Sequence, residues 1–212
     1  PLRHGMTYGE LATMWNETEG YGADLTVIKM KGWRRNMLWN DTGLLWVMPS
    51  PNMGTLETAI VYPGQCLFER TNISEGRGTT KPFLLTGSTW INAEKAAQDL
   101  NSRGIRGAIF RPVYFIPESA GTGSNRRGKP WNKMSGGVEI MLTDYAAYRS
   151  VETALNIFDA YRKASPDSLV WSPPAVIKRL EEPGMTVDSL VQACQDDVKE
   201  FMKIREKYLL YR

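Results

Sequence analysis

The chain's pattern predicts an α+β fold, with a mixed sheet, packed helices and a C-terminal helical segment. Three observations lead there: helix N-caps followed by apolar residues at helical spacing, short apolar runs between them that alternate or close on proline, and no regular strand–helix–strand repeat of the kind that would favour α/β instead. Thr7-x-x-Glu10 is a capping box, and Leu11, Met14 and Trp15 share one face, so residues 7–18 read as a helix stopped by Gly20. Residues 24–30 alternate around Leu25, Val27 and Ile28 and predict a strand. Residues 44–48 predict a second short strand, ended by Pro49. Leu56, Ala59 and Ile60 give residues 55–62 a helical period, which Pro63-Gly64 ends or kinks. Residues 69–82 are a polar run with neither period, and 83–86 resemble a short strand. Asn92 caps a helix to Ser102 that lines up Ala93, Ala96, Ala97 and Leu100. Ile109, Val113 and Phe115 mark a strand or strand pair over 105–116. An exposed, Gly- and basic-rich loop is predicted over 117–136, a strand over 137–142 and a helix over 144–164. Pro173-Pro174 and Glu182-Pro183-Gly184 punctuate a short segment, after which Thr186 caps a helix carrying Val187, Leu190, Val191 and Cys194. The expected organisation is an α+β body over 1–172 with a helical appendix, 173–212, packed on it.

Composition narrows function only a little. The 212 residues hold 26 Lys and Arg against 23 Asp and Glu, a net charge of +3 that is too weak to argue for a nucleic-acid partner. At 42% hydrophobic and 23% charged, the chain is neither disordered nor collagen-like nor a disulfide scaffold. No apolar run is long enough to span a bilayer. The single histidine, His4, excludes a histidine-cluster metal site, and Cys66 and Cys194 form no CxxC. The chain begins at Pro1 with neither a methionine nor a signal-peptide pattern, which reads as a cut inside a longer polypeptide.

The strongest local chemistry lies at 69–80. Glu69 and Glu75 stand with Arg77, Asn72, Ser74, Thr79 and Thr80, while Gly76 and Gly78 allow close backbone approach. Paired carboxylates among donors are the equipment of acid–base chemistry, glycoside hydrolysis included. The bland alternative is a solvated turn. His4 is a candidate proton-transfer or orienting group, since imidazole titrates near neutrality. Arg111 stands out as a charge inside an apolar strand, where a partner or a cleft is expected. Trp33, Trp39 and Trp131 are candidates for stacking on sugars. Arg126-Arg127 and Lys129 read either as groups that meet a carboxylated ligand or, the favoured reading, as groups that keep a loop soluble. A Cys66 nucleophile is argued against by the apolar Leu67-Phe68 beside it.

As strings, Ser50-Pro51-Asn52-Met53-x-Thr55-Leu56-Glu57-Thr58-Ala59 and Glu69-x-Thr71-Asn72-x-Ser74-Glu75-Gly76-Arg77-Gly78-Thr79-Thr80 closely resemble the exo-β-N-acetylmuramidase family of bacterial cell-wall recycling. Leu2-Arg3-His4-Gly5-Met6-Thr7, Phe110-Arg111-Pro112 and Gly136-Gly137-Val138 add to the likeness. The resemblance implies removal of N-acetylmuramic acid from the non-reducing end of peptidoglycan fragments, without a cofactor. It further implies a cleft between an N-terminal Rossmann-like domain and a C-terminal domain. On this reading the chain is the C-terminal domain alone, its body forming one wall of the cleft. Its partners are then the missing Rossmann-like domain and a muropeptide or amino-sugar substrate, and the isolated chain is inactive. Glu75, Glu69 and His4 become the catalytic candidates. Arg77, Asn72, Ser74, Thr79, Thr80, Asn52, Glu57 and Arg111 become substrate-binding, with Arg77 or Arg111 meeting the lactyl carboxylate. A periplasmic or secreted location is implied as well. The alternative is a peptidoglycan- or carbohydrate-binding module with no chemistry of its own.

Overall fold

The structure, a computed structural model, describes residues 1–119, 128–170, 172 and 175–211. Arg126-Arg127 and Pro173-Pro174, singled out above, lie outside the described residues. In chain order the elements are α1 (Tyr8–Thr18), α2 (Leu56–Gln65), β1 (Leu85–Ser88), α3 (Ala93–Ser102), β2 (Ala108–Phe115), β3 (Ser135–Leu142), α4 (Ser150–Ala164), α5 (Ala175–Lys178), α6 (Val187–Ala193) and α7 (Gln195–Glu206), with 3₁₀ turns between several of them. The fold is α+β with a C-terminal helical segment. The chain groups into two compact units, Pro1–Trp46 with Val191–Arg212, and Val47–Leu190.

In the smaller unit the capping box forms as the sequence requires. Thr7 Oγ1 accepts from the Glu10 N–H, and Glu10 Oε2 accepts from the Thr7 N–H at 2.8 Å. Glu10 is fully buried, and its other oxygen accepts from Arg35 Nη2 at 2.5 Å and from the Leu210 N–H at 2.8 Å. One carboxylate therefore ties α1 to the chain's last residues. Burial alone would raise its pKa, but the bonds from Arg35, Thr7 and Leu210 outweigh that and hold it below the ordinary value. The strands expected at 24–30 and 44–48 are absent. Ala23 bonds to the Asn16 side chain and the Met30 N–H to the Tyr211 hydroxyl, neither of them a strand partner.

The larger unit is built on a three-stranded antiparallel sheet, ordered β1-β3-β2. Helices α3 and α4 cover one face, burying Ala93, Ala96, Ala97 and Leu100 from the first and Leu155, Ile157, Phe158 and Tyr161 from the second. Thr86, Phe110, Val138 and Ile140 meet them from the sheet, and the Tyr161 hydroxyl donates to the Thr86 carbonyl at 2.9 Å. Edge strand β2 is blunted by its own sequence. The Asn101 side chain donates to the Phe110 carbonyl at 2.8 Å and accepts from its N–H at 2.9 Å, and Pro112 has no donor to offer. On the opposite face Arg111 pairs directly with Glu139 in register. Helix α2 does not stop at Pro63. It runs to Gln65 and tightens into a 3₁₀ turn, Cys66–Arg70, that delivers the polar loop.

Candidate functional site

The loop that follows is fastened before it can offer any chemistry. Ser74 makes two backbone bonds to Gly87, 2.7 and 3.1 Å, which add it to the β1 edge of the sheet. Asn72 brackets residues 168–170. Its Nδ2 donates to the Ser168 carbonyl at 2.7 Å, its Oδ1 accepts from the Val170 N–H at 3.0 Å, and its own N–H donates to the Val170 carbonyl at 2.9 Å. Gly76 and Gly78 take left-handed φ values of 81° and 77°, and a Cβ on Gly78 would lie 2.0 Å from the Glu118 carbonyl oxygen. The Thr79 hydroxyl donates to the Gly76 carbonyl at 2.6 Å and accepts from the Lys81 N–H at 3.1 Å. The Ser74 hydroxyl accepts from the Gly76 N–H at 3.1 Å, so the side chains of Asn72, Ser74 and Thr79, expected to meet substrate, are engaged in building the loop. Thr80 is exposed.

Within this frame the structure brings together Glu69, Glu75 and Arg77. Arg77 Nη2 donates to Glu69 Oε1 at 2.6 Å, and Nη1 lies 3.4 Å from Glu75 Oε1. The two carboxylates are not equivalent. Glu75 is 1% exposed, with its second oxygen held by the buried ammonium of Lys129, whereas the Glu69 side chain is 18% exposed. The Arg77 guanidinium sits 5.0 Å over the Phe83 ring, which meets Tyr62 edge-on at 4.9 Å. Phe83 adopts φ 63°, a left-handed backbone for a bulky residue, and its N–H donates to the Glu75 carbonyl at 2.7 Å. Burial, reinforced by the Glu69 charge, pushes the Tyr62 hydroxyl and the Cys66 thiol up, which keeps both protonated and argues again against a Cys66 nucleophile.

The loop's far end reaches a second cluster. Lys81 Nζ and Arg111 Nη2 hold the two oxygens of Glu139, with Arg111 Nε 3.0 Å from the second. Burial would raise the Glu139 pKa, but Lys81 and Arg111 outweigh it and hold the carboxyl below its ordinary range. Arg111 itself is 57% exposed, so its outer face is open. Glu57 accepts from the Tyr145 hydroxyl at 2.5 Å, which lowers its pKa. Asn52 lies in a half-buried turn before α2. His4 belongs to the smaller unit. Its Nδ1 accepts from the Met6 N–H at 3.1 Å, which leaves the proton of the neutral ring on Nε2.

Sequence reasoning passed over Lys81, Glu139, Tyr145 and Phe83. Lys129 corrects a specific expectation: assigned to a solvated loop, it is buried under the site. A signal existed for Glu139, a charge within the apolar Val138–Ile140 stretch and the mirror of the one used for Arg111. Among the described residues, no group of three or more His, Cys, Asp or Glu side chains is placed to hold a metal, and no helix is long and apolar enough to cross a membrane.

An α+β chain with a braced loop of alternating carboxylates and cations has the equipment for polar, multiply hydrogen-bonding ligands. Residues 60–211 match the family model described as exo-β-N-acetylmuramidase NamZ, C-terminal, and residues 1–57 match its N-terminal counterpart. The chain belongs to the exo-β-N-acetylmuramidase family. It is similar to the peptidoglycan β-N-acetylmuramidase NamZ of Bacillus subtilis, with 38% identity over the whole chain and 51% of that protein. Two crystal structures of DUF1343 family proteins from Bacteroides fragilis superpose with TM-scores of 0.77 and 0.75 at 28% and 27% identity. They are matched over 96% and 99% of this chain and 56% of each of theirs. The chain therefore spans about half the length of the curated relative. These matches correct the expectation that the chain is the C-terminal domain alone, since residues 1–57 carry N-terminal family sequence. The expectations of a wholly absent Rossmann-like partner, and of inactivity for want of it, fall with that correction.

Proposed function

We propose that this chain takes part in exo-acting hydrolysis of the β-glycosidic bond of a terminal N-acetylmuramic acid in peptidoglycan fragments, in the periplasm or outside the cell. The observation that supports it is a family sequence running through both the N- and C-terminal models, with its most distinctive stretch folded into the Glu69–Arg77–Glu75 loop. Hydrolysis needs a proton delivered to the leaving oxygen while water supplies the oxygen that bonds the anomeric carbon. Of the loop's two carboxylates, Glu69 is the one presented to a ligand, and Glu75 is the support behind it. Arg111, half-exposed beside Lys81, is the better of the two candidate partners for the sugar's lactyl carboxylate. Arg77 already spans two carboxylates, whereas the outer face of Arg111 is open.

The test is release of chromophore from a chromogenic N-acetylmuramide by the 212-residue chain. Glu69→Gln is expected to cut turnover at least ~100-fold, the range general acid–base groups supply. Arg111→Ala should raise KM for the muramide more than it lowers kcat. Undiminished turnover in Glu69→Gln removes that residue from the chemistry. A folded chain that binds the muramide without hydrolysing it would leave only a carbohydrate-binding role.

A further inference from the structure

We infer that Lys129 is a positioning residue of this site, acting through Glu75 and Arg77 on Glu69. The proposal deepens the muramidase reading and depends on it only for its kinetic consequence. The Lys129 side chain has no exposed surface, and its ammonium donates to the Phe68 carbonyl at 2.8 Å, the Ile73 carbonyl at 2.5 Å and Glu75 Oε2. These three bonds all end on the segment that carries Glu69. Phe68 and Ile73 lie on either side of Glu69, so one buried cation fixes both flanks of the less buried carboxylate. A cation so deeply buried is tolerable only with partners of this kind.

Arg77 contacts its two carboxylates asymmetrically. Its contact with Glu69 is 2.6 Å and its contact with Glu75 is 3.4 Å, although Glu75 is far more buried, where a charge attracts more strongly. Lys129 accounts for this, because it already balances the Glu75 charge and leaves the guanidinium to Glu69. Without Lys129, Glu75 is a buried carboxylate whose remaining ion-pair partner among the described residues is Arg77. Arg77 is then drawn from Glu69 toward Glu75.

The experiment follows the Arg77 Nε–H resonance by ¹⁵N–¹H NMR, assigned by its loss in Arg77→Lys, together with kcat and KM on the chromogenic muramide. In Lys129→Met the resonance is expected to move and kcat to fall by about 100-fold, the cost of misplacing a working group by about 1 Å, with KM little changed. In Lys129→Met/Glu75→Gln, with neither buried charge present, the resonance should return toward its original position and most of kcat should recover. A purely structural lysine would lower the unfolding midpoint without moving the Arg77 signal of the folded protein. An unmoved signal in folded Lys129→Met overturns the proposal. Should that variant not fold, a displaced signal in the folded double variant does so. Absence of turnover in the unsubstituted chain counts against the muramidase reading alone, because the NMR arm needs no turnover.

Discussion

Gly64 lies in the last turn of α2, at its crossing with α4, and replacing it with alanine tests how tightly the two helices are held. A Cβ built there would lie 1.9 Å from the Ser150 carbonyl oxygen, 2.5 Å from the Ser150 carbonyl carbon and 3.0 Å from the Ala154 Cβ. Two of these atoms are backbone and the third has no rotamer to change, so no side chain can give way. Ordinary contact begins near 3.4 Å, so the helices must separate by about 1.5 Å. A gap of 0.5–1 Å already forfeits roughly a quarter to a half of the dispersion energy at a contact. The contacts at risk include fully buried Val61 and the Phe68–Phe158 ring pair. Gly64→Ala is therefore expected to destabilise by about 3 kcal/mol, the upper part of the overpacking range, out of a total stability of roughly 5–15 kcal/mol. Gly104→Ala is the control. Its Cβ would meet nothing within 4 Å, and only its φ of +63° is unfavourable, for about 1 kcal/mol. Urea denaturation of both variants reads the difference. If Gly64→Ala lies within about 1 kcal/mol of the unsubstituted protein, the crossing is not rigid and the steric reasoning fails. Because α2 leads straight into the 3₁₀ turn bearing Glu69, turnover should fall along with stability.

Asn101→Ala removes both bonds that seal the β2 edge at Phe110. It should cost about 2 kcal/mol and promote edge-to-edge dimers at high concentration. A stable variant that stays monomeric in sedimentation would show that Pro112 protects the edge alone. The bonds from Arg35, Thr7 and Leu210 outweigh burial and hold the Glu10 carboxyl below its ordinary value, so its stabilisation is present above the unfolded pKa and is lost as pH falls through the lowered native one. Thermal melts should lose stability as pH drops below about 4.5. Glu10→Gln should be less stable at pH 7 and lose less on acidification, and an unchanged pH slope in that variant would remove Glu10 from the account.

Much of the fold was legible because its signals are local. The Thr7/Glu10 box, the Asn92 cap and the alanine stripe of α3 each need only a few neighbouring residues to act, and each formed as read. The strands expected at 24–30 and 44–48 failed for the converse reason. Alternation shows that a segment can pair, but a strand exists only where another backbone meets it. At the site, the sequence placed Glu69, Glu75 and Arg77 together because they are close along the chain. It could not rank the two carboxylates, since their ranking is set by Lys129, 54 residues beyond Glu75. Nothing near position 129 marks that lysine as buried, because its acceptors, two carbonyls and the Glu75 carboxylate, come from a segment far away in the chain. The charged strand residue Arg111 did signal a partner, and the partner was Glu139, 28 residues on.

Phe83 places two opposed requirements on one position. Its ring lies beneath Arg77 and against Tyr62, while its backbone holds a conformation that bulky side chains resist, at a cost of about 1–3 kcal/mol. Glycine would relax the backbone and delete the ring, and a β-branched residue would keep bulk while clashing with the φ it must adopt. Tolerance at position 83 should therefore be narrow on both sides, so a library randomised there would separate the loop's shape from its aromatic support: glycine variants would keep the turn but leave the guanidinium unseated, and no single substitution would improve both.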